Sequence, residues 1–147
     1  MTLAQFAPSF ALLDAKHVAG IILRSNGTGA YGGGTYDILG PTGSSLGYST
    51  VAAKAGDNVE LFGVGFGPIN PAVPAGEALP KGQFATTNSV TISINNNNLV
   101  TEPAYLSEAG LYQINVTIPA GLGTGDKPLV AAVGGVQTQP GVVISLQ

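Results

Sequence analysis

With 147 residues, 44% of them hydrophobic and only 9% charged, the chain is one ordinary domain, residues 1–147, able to bury a core of its own. A net charge of −3 and five basic residues argue against a nucleic-acid partner, and the lack of cysteine removes disulfide frameworks and thiolate metal sites. Nothing approaches the length of a membrane-spanning helix, so no membrane insertion is expected.

From the N-terminus onward, the first candidate element is 10–13, a short strand or part of an N-terminal connector or edge strand covering 1–15. Residues 17–24 (HVAGIILR) read as a strong strand, followed by the turn-rich stretch 25–34. Short strands are expected at 36–39, closed by Gly40 and Pro41, and at 46–51. In 58–66, Val59, Leu61, Phe62, Val64 and Phe66 can bury side chains on both faces of a strand. Gly63 and Gly65 fall where another backbone must come close. A loop over 67–87 is stiffened by Pro68, Pro71, Pro74 and Pro80. Residues 90–94 and 99–105 read as a hairpin about the asparagines 95–98, which tolerate left-handed backbone. In 111–118 the alternation is strict. Tyr112, Ile114, Val116 and Ile118 point one way, and Gln113, Asn115 and Thr117 the other. A last hairpin joins 129–133 to 136–146 over Gly134 and Gly135, a pair that a type I′ turn favours.

Short strands with Gly/Pro turns predict an all-β, two-sheet sandwich of about seven to nine strands. Its core is expected to hold Tyr112, Ile114, Val116, Ile118, Val59 and Leu61. The stretches APSFALLDAKHVAG, LGYSTVAAKAGDNVELFGVGFGPINPAVPAGEA and GLYQINVTIPAGLGTGDKPLVAAVGGVQTQPGVVISLQ cover nearly the whole chain. Together they resemble the C-terminal domain of a large, uncharacterised family of secreted acidobacterial proteins, GVGFGP and LYQINVTIPAG being the most specific motifs. The resemblance implies an immunoglobulin-like fold close to the IPT/TIG type and an extracellular or cell-surface setting. It also implies that the chain is the second half of a pair within a longer protein. It supplies no catalytic residue.

Several motifs invite a chemical reading. Residues 43–47 (GSSLG) match the G-x-S-x-G nucleophile elbow, but that device needs a strand-to-helix turn and a later histidine. The single histidine, His17, lies upstream, so a Ser/Gly loop is expected. Gly27, Gly29 and Gly32 fit a dinucleotide fingerprint by letter, without the helix that would receive a pyrophosphate. His17 itself reads as a surface or edge residue rather than a ligand, and zinc and copper sites are not expected. Calcium needs only oxygens, and Asp37, Asp57 and Asp126 each lie near a turn, though in no recognised loop. Lys16, Lys54, Lys81 and Lys127 look exposed, which disfavours a buried Lys–Asn isopeptide. No catalytic residue, cofactor or metal site is therefore assigned.

Interaction residues are the remaining candidates. Gln113 and Asn115 share one strand face about 7 Å apart. They form either a polar ladder for a glycan or partner strand, or a pair that satisfies a crossing loop. The segment 3–13 (LAQFAPSFALL) carries Phe6, Phe10 and Leu12 and would pair along a sheet edge, of its own sandwich or of a neighbouring copy or domain. Pro8 would interrupt that pairing; the alternative is a linker crossing the base of the sandwich. The expected function is a non-catalytic extracellular module that packs against neighbouring domains or copies of itself. The alternative is an accessory domain that binds polysaccharide. That would want exposed aromatics on one face, for which Tyr31, Tyr36 and Tyr48 are the candidates.

Overall fold

Two alternating runs, around residues 60 and 114, pair with each other at the centre of the larger of two sheets. The computed structural model describes residues 7–23, 36–67, 69–70, 84–86, 90–99, 104–108 and 111–147. Its strands are, in chain order, β1 (Ser9–Phe10), β2 (Gly20–Leu23), β3 (Tyr36–Ile38), β4 (Asn58–Val64), β5 (Ile69–Asn70) and β6 (Phe84–Thr86). There follow β7 (Thr91–Ile94), β8 (Asn97–Asn98), β9 (Tyr105–Glu108), β10 (Leu111–Thr117), β11 (Gly125–Val133), β12 (Val136–Gln137) and β13 (Val143–Leu146). Among the described residues there is no helix, and nine of the strands run to three residues or more.

The first sheet has the order β3-β2-β4-β10-β9-β6-β5, with β1 also on β4; the second runs β12-β11-β7-β8, with β13 on β11. All strand pairs are antiparallel. The chain is an all-β, two-sheet sandwich. Between the sheets, Val59, Leu61, Ile114 and Val116 from one side join Ile92, Ile94, Leu129, Ala131 and Ile144 from the other in a single apolar cluster. Ile118 belongs to it and Tyr112 packs half-buried against it, its hydroxyl donating to the Gly67 carbonyl at 2.5 Å. Phe66, fully buried, contacts the Tyr112 ring with centroids 5.7 Å apart.

The two sheets are stitched at one edge. Residues 16–18 and 53 run parallel beside β13, through His17↔Val143 and Ala53↔Leu146 bridges. Each of these segments then leads into a strand of the first sheet, β2 and β4. In these crossings the Val18 N–H donates to the Val143 carbonyl and the Ala53 N–H to the Ser145 carbonyl, giving buried backbone groups partners.

Local chemistry explains most of the turns. Asn95 and Asn96 both take positive φ, 50° and 64°, so the hairpin turns within two residues and β8 starts at Asn97 rather than Leu99. Gly134 and Gly135 do the same between β11 and β12 (59° and 81°). The final strand is divided where Pro140 and Gly141, at φ 82°, break the pairing between β12 and β13. Residues 46–51 do not form a strand. Gly47 donates to Ser44, and only Thr50 and Val51 make isolated bridges, to Gly43 and Leu39. Most of the proline-rich loop at 67–87, Lys81, Tyr31 and the glycines 27, 29 and 32 lie outside the described residues.

The N-terminal segment resolves the choice left by the sequence for its described part, residues 7–13. Ala7 donates to Gly65, Ser9 and Phe10 pair with Val64 and Gly63, and Ala11 donates to Phe62. The segment is therefore an edge strand of its own sandwich. Pro8 is the residue in this run with no N–H to give. The two glycines beneath it are obligatory. A Cβ on Gly63 would stand 2.6 Å from the Ser9 carbonyl oxygen, and one on Gly65, whose φ is +76°, 2.1 Å from that of Ala7.

Candidate functional site

The start of β4 and the end of β10 lie side by side, with Asn58 opposite Thr117 and Glu60 opposite Asn115. Because side chains alternate along a strand, Asn58 and Asn115 share the outer face while Val59 and Val116 turn to the core. The β7–β8 hairpin and the turn at 119–122 complete a groove at this end of the sandwich, to which Asn97, Asn98 and Leu99 contribute. Asn95 holds hairpin and turn together, its Nδ2 donating to the Leu122 carbonyl at 3.2 Å. The volume is about 760 Å³, within the roughly 300–1,000 Å³ usual for small-molecule sites.

The groove's described lining residues include aliphatic ones (Leu23, Val59, Leu99, Val116 and Leu122) and neutral polar ones, among them four asparagines and Thr117. Among the described residues, none that line it is ionisable. Its internal bonds have a direction. The Thr117 hydroxyl donates to Asn58 Oδ1 at 2.7 Å, and Gln113 Nε2 donates to Asn115 Oδ1 at 3.0 Å. Both oxygens are thus engaged from within the sheet. Beside them Glu60 is only 8% exposed, and burial raises its carboxyl above the usual range.

The residues singled out from the sequence separate into distinct places. Asn115 is exposed and lines the groove; Gln113, half-buried, bonds to it rather than to a crossing loop. Phe10 is not available to a partner. It is 3% exposed, packs edge-on against Phe66 with centroids 6.4 Å apart, and belongs to the chain's own core. β1 pairs with β4 through Phe10 opposite Gly63, and the bare backbones of Gly63 and Gly65 allow that close approach. Its other edge is capped by Gln139, which accepts from the Phe10 N–H at 3.0 Å and donates to the Phe10 carbonyl at 2.9 Å. Leu12 stays at the surface, 36% exposed and bridged to Val18. Phe6 lies outside the described residues.

His17 is a correction. Expected at a surface or edge, it is 6% exposed and sits between two carboxylates, Nδ1 2.8 Å from Asp14 and Nε2 3.0 Å from Asp126. A neutral imidazole has one N–H to give and the imidazolium two, so only the charged form serves both partners. Asp14 also accepts from the backbone N–H groups of His17 and Lys16, closing the turn between residues 13 and 17. Those two N–H groups, then the His17 ring, hold its carboxyl well below the ordinary range. Burial pulls Asp126 upward, but the Ser145 hydroxyl at 2.7 Å, His17, and Lys16 at 3.7 Å outweigh it and keep its carboxyl low. The D-A-K-H spacing could have signalled the turn; nothing in the sequence points from His17 to Asp126.

The other motifs are dispersed. Gly43 and Gly47 take positive φ (119° and 95°) around an exposed Ser45 in a tight turn, and both His17 nitrogens are already engaged by Asp14 and Asp126. Asp37 is on β3 and Asp57 precedes β4, accepting from the Lys54 N–H, while Asp126 is held by His17 and Ser145. Among the described residues no group of three or more His, Cys, Asp or Glu side chains is placed to hold a metal ion. No protein-family model matches the chain, and neither does any curated protein or solved structure.

Proposed function

We propose that the chain is a non-catalytic, extracellular interaction module of immunoglobulin-like, IPT/TIG-like kind. It packs against neighbouring domains or copies of itself. The observation that carries this reading is the groove at the end of the sandwich, whose described lining residues are asparagines, a threonine and apolar residues, suited to holding a partner. The scarcity of charge elsewhere suits close, dry association. Binding of a neutral polysaccharide is the second reading, favoured by the four asparagines among the described residues that line the groove.

Sedimentation velocity over a concentration series tests the first reading, comparing the chain with Asn115→Arg. Association that is insensitive to salt and removed by the arginine is expected. Association equally strong in the variant would take the groove out of the interface. Labelling of Ser45 by a fluorophosphonate probe, lost in His17→Ala, would overturn the non-catalytic assignment.

A further inference from the structure

We infer that the outer face of the first sheet docks an apolar protein surface that presents one lysine or arginine, which pairs with Glu60. The inference rests on the interaction-module reading and gives the partner a chemistry. Register places the side chains. Glu60 stands between Ile21 on β2 and Asn115 on β10, and Ile38 on β3 lies beyond Ile21. Leu23 and Tyr36 follow in the next row, and alternation along β4 puts Phe62 and Val64 on the same face. Tyr36, Ile38 and Val64 are 45%, 36% and 45% exposed, so the face carries apolar surface into solvent around the carboxylate.

Glu60 itself is 8% exposed, yet among the described residues no hydrogen bond or ion pair reaches its side chain. No fully enclosed side-chain oxygen lacks a partner among those residues, so the Glu60 carboxyl is not sealed in: its stem is covered and its oxygens open onto the face. A carboxylate stripped of most of its water and given no donor is costly, and that burial raises it above the ordinary range. A cation brought by a partner offsets the cost, and the apolar rim excludes the water that would screen the pair. Lysine and arginine suit the place because their aliphatic stems lie along apolar surface while the charged head reaches further. Other occupants fit less well. A second copy docked face to face would set two Glu60 carboxylates in one interface, like charge beside like. A metal ion would need more ligands than one carboxylate, and among the described residues no group of three His, Cys, Asp or Glu gathers.

The test is a titration of the isotope-labelled domain at neutral pH, followed by amide chemical shifts. The probe is a short capped peptide of leucine, valine and threonine about one central arginine. Its citrulline counterpart keeps the shape without the charge, and a glutamate counterpart reverses the charge. The arginine peptide is expected to move the signals of Ile21, Ile38 and Glu60. Exchange of arginine for citrulline, or Glu60→Gln, should weaken binding about 10-fold or more, the scale of a desolvated charge pair. Glu60→Gln should melt no lower than the wild type at neutral pH, because it removes an unpaired carboxylate. Three results would overturn the inference: no movement of these signals, equal binding of the citrulline or glutamate peptide, or a lower melt of Glu60→Gln, which would reveal a partner within the chain. The two readings fail separately. If Asn115→Arg abolishes self-association while the arginine peptide does not bind, the interaction module stands and this partner falls. Peptide binding by a domain that never associates keeps the partner and removes self-association.

Discussion

Single side chains hold the places where this sandwich would otherwise come apart. His17 clamps the turn at 13–17 to β11 through Asp126, and Ser145 of β13 completes the cluster. The folded-state carboxyls of Asp14 and Asp126 are lowered, so their contribution to stability is present above the ordinary carboxylate range and is lost as pH falls through their folded values. Glu60 has the opposite sign. Its raised carboxyl contributes below the ordinary range and costs stability as pH rises through its folded value. Thermal melting of the wild type should therefore weaken on acidification below about pH 4. Asp126→Asn should melt lower at neutral pH and show a flatter acid limb. A limb of unchanged steepness would mean that the cluster does not couple to folding. In the β7–β8 turn, Asn96 sits at φ 64°. Asn96→Ala should cost roughly 1–2 kcal/mol in denaturant unfolding, the usual penalty for a left-handed residue with a Cβ. Asn96→Gly should cost almost nothing.

Among the elements, β1 is the least regular and the most informative. It is two residues long, yet three features fix it: the N–H of Ala7 to Gly65, the buried ring of Phe10, and the reciprocal bonds from Gln139. Burial of an aromatic ring dominates, since Phe→Ala in a core typically costs about 3–5 kcal/mol while a single hydrogen bond nets roughly 1. Deleting residues 1–13 should lower the melting temperature clearly, and Phe10→Ala should reproduce most of the loss. Melting unchanged by the deletion would reduce the segment to a tether. Because the pairing is with the chain's own β4, light scattering should not show a change of assembly caused by lost strand exchange.

For the molecule as a whole, stability rests on the cluster between the two sheets, with Ile114 2% exposed on β10 at its centre. Ile114→Ala should cost about 2–5 kcal/mol by chemical denaturation, as a buried large-to-small change. A loss below that range would place Ile114 outside the packed core. The groove lies where β4 and β10 of one sheet come beside the β7–β8 hairpin of the other. Its residues belong to strand ends and turns, where polar side chains have no core to enter, which is why asparagine gathers there.

Strands and their faces were legible in the amino-acid order. Period-two alternation in 111–118 assigns Ile114 and Val116 inward and Gln113 and Asn115 outward, because a strand's geometry is local. Gly63 and Gly65 announced a close backbone, and Gly134–Gly135 a tight turn, since a missing Cβ is legible one residue at a time. Folding in three dimensions was needed to settle which backbone came close, that Phe10 turns inward, and that His17 meets an aspartate 109 residues away. Gln139 reaches Phe10, 129 residues away, in the same way. Alternation says which side of a strand a residue occupies; register and sheet packing, which depend on the whole chain, say what it finds there.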